Sequence, residues 1–325
     1  MIDGHTRSIT YLRLSVTDRC DLRCAYCMPE RMEFLPRSEI LSLAELDALA
    51  SAFIGMGITK LRLTGGEPLV RKGFIDLVAG LSRHLGDGLD ELVMTTNGTR
   101  LAEYADALAR HGVSRVNVSI DSLDPATYAR ITRGGDIARV IAGVDAAIDA
   151  GIAVKINVVA LANDNLDEVV ALADWAHQRG AAISFIEVMP LGDVEASRID
   201  QHVPMSEVRR RLATRWSLTP IALNTGGPAR YVRTDAGGTI GFITPLSDNF
   251  CGSCNRVRVT CTGQLYLCLG QDARVDLRAM LRSGDPAALE AAIARAVRNK
   301  PLAHDFLIAP QRTQGVARHM SVTGG

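Results

Sequence analysis

A chain of 325 residues, 47% apolar and 22% charged, carries enough apolar mass for one large domain or two ordinary ones and is not a disordered polymer. Lys plus Arg number 36, as do Asp plus Glu, which excludes a net basic field for long nucleic acid. No apolar run approaches the roughly 18 residues of a membrane helix, and Asp3, Arg7, Arg13 and Asp18 fall where a secretory core would lie, so a cytoplasmic protein with no membrane partner is expected.

In chain order, short β-rich runs alternate with amphipathic helical ones. Strands are predicted at ITYLRLSV (9–16), KLRLT (60–64), ELVMTT (91–96), RVNVSI (115–120), AVKINVVA (153–160) and ISFIEVM (183–189). Between them, stretches such as LSLAELDALASAFIGMG, GFIDLVAGLSRHL and NLDEVVALADWAHQRG carry helical periodicity, and several end in glycine. Six βα repeats imply a parallel sheet, doubly wound or curled into a barrel. The chemistry-bearing residues recur where strands end: Cys20–Cys27 after the first, Gly65-Gly66-Glu67-Pro68 after the second, Thr95-Thr96-Asn97-Gly98 after the third. Ser119 and Asp121 close the fourth, Lys155 lies on the fifth, and Glu187 and Met189 close the sixth. A barrel gathers such ends on one rim.

After about residue 195 the rhythm changes. A helix is predicted over MSEVRRRLATR (205–215), then short strands (ARYVRT, GTIGFIT), then helices in DLRAMLRSG and PAALEAAIARAVRNK. The tail RHMSVTGG reads as irregular. The expected fold is α/β: an incomplete (β/α)6 TIM-like barrel over 1–195, with a smaller C-terminal α+β extension over 196–325 that has its own sheet and closes the open side.

Seven cysteines with no export signal argue against a disulfide framework. Cys20, Cys24 and Cys27 form C-x3-C-x2-C, with no fourth Cys or His nearby to complete a structural zinc site. Three thiolates on one loop can cap three corners of a cubane cluster and leave one iron open. Cys251, Cys254 and Cys268 make a second trio, or a closed four-thiolate staple if Cys261 joins. Alternation puts Val257, Val259 and Cys261 on one strand face and Arg256 and Arg258 on the other, which favours packing for Cys261. No Gly-Lys dipeptide occurs, so no P-loop is present.

C-x3-C-x2-C with Tyr26 before its last cysteine, followed one strand later by GGEP, resembles the radical S-adenosylmethionine superfamily. RLSVTDRCDLRCAYCMP, RLTGGEP, TTNG, NVSIDSLD, KIN, FIEVM, the FCGSCNRVRVT-to-Cys268 segment and the terminal Gly-Gly occur in one order across almost the whole chain. Together they resemble the GTP 3′,8-cyclase family of molybdenum cofactor biosynthesis. The resemblance implies a lyase that uses two [4Fe–4S] clusters and S-adenosylmethionine, whose 5′-deoxyadenosyl radical takes the 3′ hydrogen of GTP before C3′ joins C8. It implies that Cys20, Cys24 and Cys27 hold the radical-generating cluster, and Cys251, Cys254 and Cys268 the substrate cluster. Tyr26, Gly66, Ser119 and Met189 match the family's S-adenosylmethionine contacts; Arg13, Arg62, Thr95, Lys155, Arg256 and Arg258 match its GTP contacts. Gly324 and Gly325 correspond to a tail that enters the active site. The resemblance further implies an electron donor and a next enzyme of the molybdopterin pathway, and allows a homodimer.

Two rival functions stay open on sequence: a radical enzyme acting on a peptide with an auxiliary cluster, and a non-catalytic zinc- or cluster-binding interaction module. Plainer roles also stand beside the assigned ones. Met189 could be packing, Arg13 and Arg62 rim ion pairs, and Gly324-Gly325 a frayed end.

Overall fold

The computed structural model describes residues 1–325 except 193, 195, 196, 249, 310, 311 and 325, and leaves out the side chains of 309 and 312–314. Six strands follow one another through the first part of the chain: β1 (Tyr11–Ser15), β2 (Lys60–Thr64), β3 (Glu91–Thr96), β4 (Val113–Ser119), β5 (Ala153–Ala160) and β6 (Ala182–Glu187). Each pairs in parallel with the next. The crossovers carry α1 (Leu43–Gly55), α2 (Phe74–Ser82), α3 (Leu101–Arg110), α4 (Pro125–Thr132), α5 (Ile137–Asp149) and α6 (Val169–Gln178). Local chemistry sets their starts. Ser42 and Glu45 form a reciprocal capping box on α1, and the Asp124 and Asp136 side chains cap α4 and α5.

The second part of the chain supplies β7 (Leu218–Ile221), β8 (Arg230–Thr234), β9 (Thr239–Ile243), β10 (Arg256–Val259), β11 (Gln264–Tyr266) and β12 (Arg274–Asp276). These do not build a separate main sheet, contrary to the expectation above. They extend the first one at both edges, in the order β12-β11-β10-β1-β2-β3-β4-β5-β6-β9-β8-β7. Strand β10 runs parallel to β1 and β9 parallel to β6, so the edge N–H and C=O groups of the six-strand unit are paired from both sides. Among the described residues the two ends of the 12-stranded sheet do not pair with each other, which leaves an incomplete barrel. The hairpin of β13 (Leu307–Ala309) and β14 (Arg312–Gln314) forms a separate two-stranded sheet.

Period-two alternation sorts the barrel. Leu12, Leu14, Leu61, Leu63, Val116, Val118, Ile156, Val158, Val257 and Val259 join one apolar core with helix residues such as Phe53, Leu77, Leu108, Val144 and Leu172. The alternate residues Tyr11, Arg13, Arg62, Arg115, Asn117, Lys155, Asn157, Arg256 and Arg258 line the interior cavity. A parallel strand buried on both faces ordinarily reads as a continuous apolar run. Here the inner face is polar because it lines a site. Among the described residues, no helix is long and apolar enough to cross a membrane.

Candidate active site

The loop after β1 carries the first cysteine trio, and the loop after β2 fixes it in place. Gly66 and Glu67 donate their backbone N–H groups to the carbonyls of Thr17 and Arg19 at 2.8 and 2.7 Å. A Cβ on Gly66 would lie 2.2 Å from the Arg19 carbonyl oxygen, so only glycine permits this approach. Glu67 is fully buried; its carboxylate accepts from Leu69 N (3.0 Å), Thr96 Oγ1 (2.9 Å) and Asn97 N (2.6 Å). One side chain thus ties the ends of β2 and β3 together beneath the cysteine loop.

Tyr26 is anchored the same way. Its hydroxyl donates to Asp121 Oδ2 at 2.7 Å, while Asp121 Oδ1 accepts from Val159 N on β5 at 2.8 Å. Arg198 donates to the Tyr26 and Leu191 carbonyls at 3.0 and 2.5 Å, closing the loop from the far side. The three cysteines are half-buried on this loop, and their thiols influence one another electrostatically. Burial pushes Cys24 well above its ordinary pKa, with Cys27, Asp121 and Cys20 adding to the rise. Burial raises Cys20 strongly, with Glu67 next, and lifts Cys27 to about 11 against the opposing Ser321 N–H and Arg198. Three thiols that oppose one another's ionisation become compatible when metal ions take up their charge and displace their protons.

The inner faces of β10, β1, β2, β4 and β5 enclose a cavity of about 170 Å³, lined by Arg13, Arg62, Arg115, Lys155, Arg256 and Arg258. These cations crowd one another. Burial and then Arg13 and Arg256 hold Arg258 well below the usual guanidinium range. Burial lowers Arg13 to about 10, with Tyr11 opposing and Arg62 and Arg256 contributing. Burial, then Arg62, Arg115 and Lys60, brings Lys155 down to about 7, although its Nζ donates to the Tyr231 hydroxyl at 2.8 Å. At Tyr11 burial pushes the phenol up, but Arg62 and Arg13 outweigh it and leave it at about 7. A cavity so rich in buried positive charge is complementary to a polyanion.

Cys251, Cys254 and Cys268 line the same cavity beside Leu267, Lys300 and Phe250. Burial raises the Cys254 thiol, but Arg256, Lys300 and Arg7 more than offset it, to about 7. Arg7 holds the trio's loop, donating to the carbonyls of Cys251 and Leu302 at 2.8 Å and of Pro301 at 2.6 Å. Cys261 is not on this wall. It is fully buried, its carbonyl accepts from Leu41 N at 2.8 Å, and its thiol is influenced by Asp18 and Arg71. Among the described residues no three His, Cys, Asp or Glu side chains converge as a single ion requires. A cubane instead takes each thiolate on a different iron, which spreads the sulfurs around its corners. Both trios fit such a group.

The chain's end returns to this mouth. Val316 pairs with Leu191, and the helix Met320–Thr323 follows, a correction to the irregular tail expected from sequence. Arg258 Nη1 donates to the Gly324 carbonyl at 2.6 Å, and Gly324 packs on Thr64 at the end of β2. Gly325 lies outside the described residues.

Of the residues matched to nucleotide contacts, Arg13, Arg62, Lys155, Arg256 and Arg258 share the cavity wall; Thr95 stands behind it, accepting from Arg62 Nη1 at 3.1 Å. Met189 lines the cavity as well. Ser119 sits at the end of β4, in register with Asn157 on β5. Sequence reading passed over Tyr11, Arg115, Asn117, Asn157 and Lys300, all on the wall. Four of them were marked by the parity of the matched residues: Tyr11 is two before Arg13, Arg115 and Asn117 are in step with Ser119, and Asn157 is two after Lys155. Lys300 follows a helix and carried no such signal.

Profile comparison matches residues 14–176 to the radical SAM superfamily and residues 181–306 to Molybdenum Cofactor Synthesis C. A GTP 3′,8-cyclase of Caulobacter vibrioides is 60% identical over 328 residues, spanning 100% of this chain and 94% of that protein. The chain belongs to the GTP 3′,8-cyclase family. A second member, from Erythrobacter litoralis, is 56% identical over 100% of this chain and 98% of its own. Among solved structures, Streptococcus suis SuiB bound to S-adenosylmethionine aligns with a TM-score of 0.64 at 13% identity, over 90% of this chain and 68% of that one. That likeness is one of fold.

Proposed function

We propose that this chain is a lyase that cyclises GTP to (8S)-3′,8-cyclo-7,8-dihydroguanosine 5′-triphosphate, the first step of molybdenum cofactor biosynthesis. The observation that carries this reading is the single cavity in which buried cations face a cysteine trio, with the first trio's loop at its mouth. As a radical SAM protein the chain takes S-adenosylmethionine and an iron–sulfur cluster. Cys20, Cys24 and Cys27 would hold that cluster, and Cys251, Cys254 and Cys268 would hold a second [4Fe–4S] cluster. When bound, the first cluster and S-adenosylmethionine would supply the one-electron chemistry that generates a 5′-deoxyadenosyl radical.

The chain's own residues bind and orient. Arg13, Arg62, Lys155, Arg256 and Arg258 take the triphosphate through charge-assisted hydrogen bonds, with Thr95 bracing Arg62. The base lies toward the second trio, against the apolar surface of Phe250, Ile243 and Pro245, which line that side of the cavity. Tyr26, Gly66, Ser119 and Met189 contact S-adenosylmethionine, and the tail up to Gly324 covers the mouth and limits water. An external one-electron donor reduces the protein, the next enzyme of the pathway takes the product, and the chain divides at about residue 195 into its two parts. In Cys24→Ser protein, reconstituted anaerobically, the remaining paramagnetic signal belongs to the second cluster. GTP is expected to shift it. A spectrum indifferent to GTP would remove the substrate role of Cys251, Cys254 and Cys268.

A further inference from the structure

Two neutral side chains stand within the cationic wall. Asn117 on β4 and Asn157 on β5 both line the cavity, and among the described residues the carboxamide oxygen of each is buried without a hydrogen-bond partner. An unpaired buried polar group is costly unless a ligand completes it. Their heights in the barrel say which part of a ligand they meet. Asn117 is in register with Lys155, one step above the level shared by Arg13, Arg62, Arg115 and Arg258, and Asn157 is in register with Ser119, a further step toward the mouth. A further step along β5 is Val159, whose N–H donates to Asp121, the residue that holds Tyr26 in the first cysteine loop. The two carboxamides therefore lie between the arginines that take phosphate and the level of the first trio, in steps of about 7 Å along the strands.

On the function proposed above, the group between the triphosphate and the site of hydrogen removal is the ribose. A carboxamide offers a donor at one end and an acceptor at the other, and a hydroxyl can meet either. Phosphate oxygens accept only. We infer that Asn117 and Asn157 bind the ribose hydroxyls of the nucleotide and hold the sugar at a fixed height beneath the first cysteine loop. Cations set the depth of the triphosphate; the carboxamides set the level and rotation of the sugar.

The test is equilibrium binding to the anaerobically reconstituted full chain, by calorimetry, with GTP, 2′,3′-dideoxyGTP and ITP. Wild type is expected to bind GTP about ten-fold or more tightly than the dideoxy analogue. Asn157→Ala should weaken GTP by a similar factor and leave the dideoxy analogue almost unchanged, so that discrimination collapses. The GTP-to-ITP ratio should stay constant, and Asn117→Ala should act in the same direction. Iron content and the thermal midpoint confirm that each variant is folded and loaded. Equal weakening of GTP and its dideoxy analogue, or a change confined to the ITP ratio, would overturn the ribose assignment alone. A wild-type protein that bound none of the three would overturn the GTP reading and this inference with it.

Discussion

The guanidinium of Arg258 reaches the carbonyl of Gly324 at 2.6 Å, joining an inner strand of the barrel to the chain's penultimate residue. Gly324 has φ +75°, and a Cβ there would lie 2.2 Å from Thr64 Cγ2. Both features exclude other residues: the left-handed backbone costs an L-residue roughly 1–2 kcal/mol, and the clash adds to it. Gly324→Ala should therefore lift the tail out of the mouth. The expected outcome is full iron loading with turnover reduced about ten-fold or more, read as kcat per loaded protein. Unchanged turnover would make the tail a bystander.

The cysteines divide into those that face the cavity and one that does not. Cys268→Ser should lose about half the iron and inorganic sulfide of the reconstituted protein. Cys261→Ser should keep both, at a stability cost of about 1 kcal/mol for a hydroxyl in an apolar setting. Chemical iron and sulfide analysis of the two variants side by side separates an open three-thiolate site from a closed four-thiolate one.

Lys155 and Tyr11 give GTP binding a pH dependence of defined sign. In the free protein burial brings Lys155 down to about 7, so it loses its proton as pH rises through that value. A bound triphosphate favours the charged ammonium, and binding above pH 7 must take up a proton. Tyr11, held at about 7 mainly by Arg62 and Arg13 against burial, gains negative charge over the same range. Both effects make GTP affinity fall as pH rises above 7. Lys155→Arg should flatten its share of the slope without weakening binding at pH 8.5, and proton uptake is measurable by calorimetry in buffers of different ionisation enthalpy. For the ligand-free fold the sign reverses. The unfolded chain binds more protons than the folded one between about pH 7 and the ordinary values of 10.5 and 10.0, so these two groups make stability rise with pH across that window.

Arg256 and Arg258 share a strand face and differ in their partners. Arg256 lies near Cys254, whereas Arg258 also holds the tail. Arg256→Ala should weaken GTP about ten- to hundred-fold, the range of a lost charge-assisted hydrogen bond, with its protein fold intact. Arg258→Ala should add a turnover defect like that of Gly324→Ala. A titration of binding and kcat for the two variants distinguishes the roles.

The six barrel strands were legible because turn signals bracket each one and its aliphatic residues alternate. KLRLT and ELVMTT are found at their expected bounds. Helix α4 was not among the helical stretches read from sequence: PATYARIT has only a weak apolar stripe, and its start is set by the Asp124 side chain capping it with Pro125 in the first turn. The pairing of β10 with β1 and β9 with β6 was not legible, since sequence patterning is local and says nothing about which distant strand completes an edge. The same limit applies to Arg7, whose contacts at Cys251 and Pro301 span most of the chain. The cysteine spacing and GGEP carried the site; the carboxamides of Asn117 and Asn157 were visible only as strand residues of the right parity.

In the proposed reaction this cavity brings the 3′ hydrogen of GTP to a deoxyadenosyl radical. Mass spectrometry of an anaerobic reaction with [3′-²H]GTP, S-adenosylmethionine and reductant tests it most directly. The account predicts 5′-deoxyadenosine carrying one deuterium, formed together with the cyclised nucleotide. Deoxyadenosine free of deuterium, with GTP recovered intact, would contradict it.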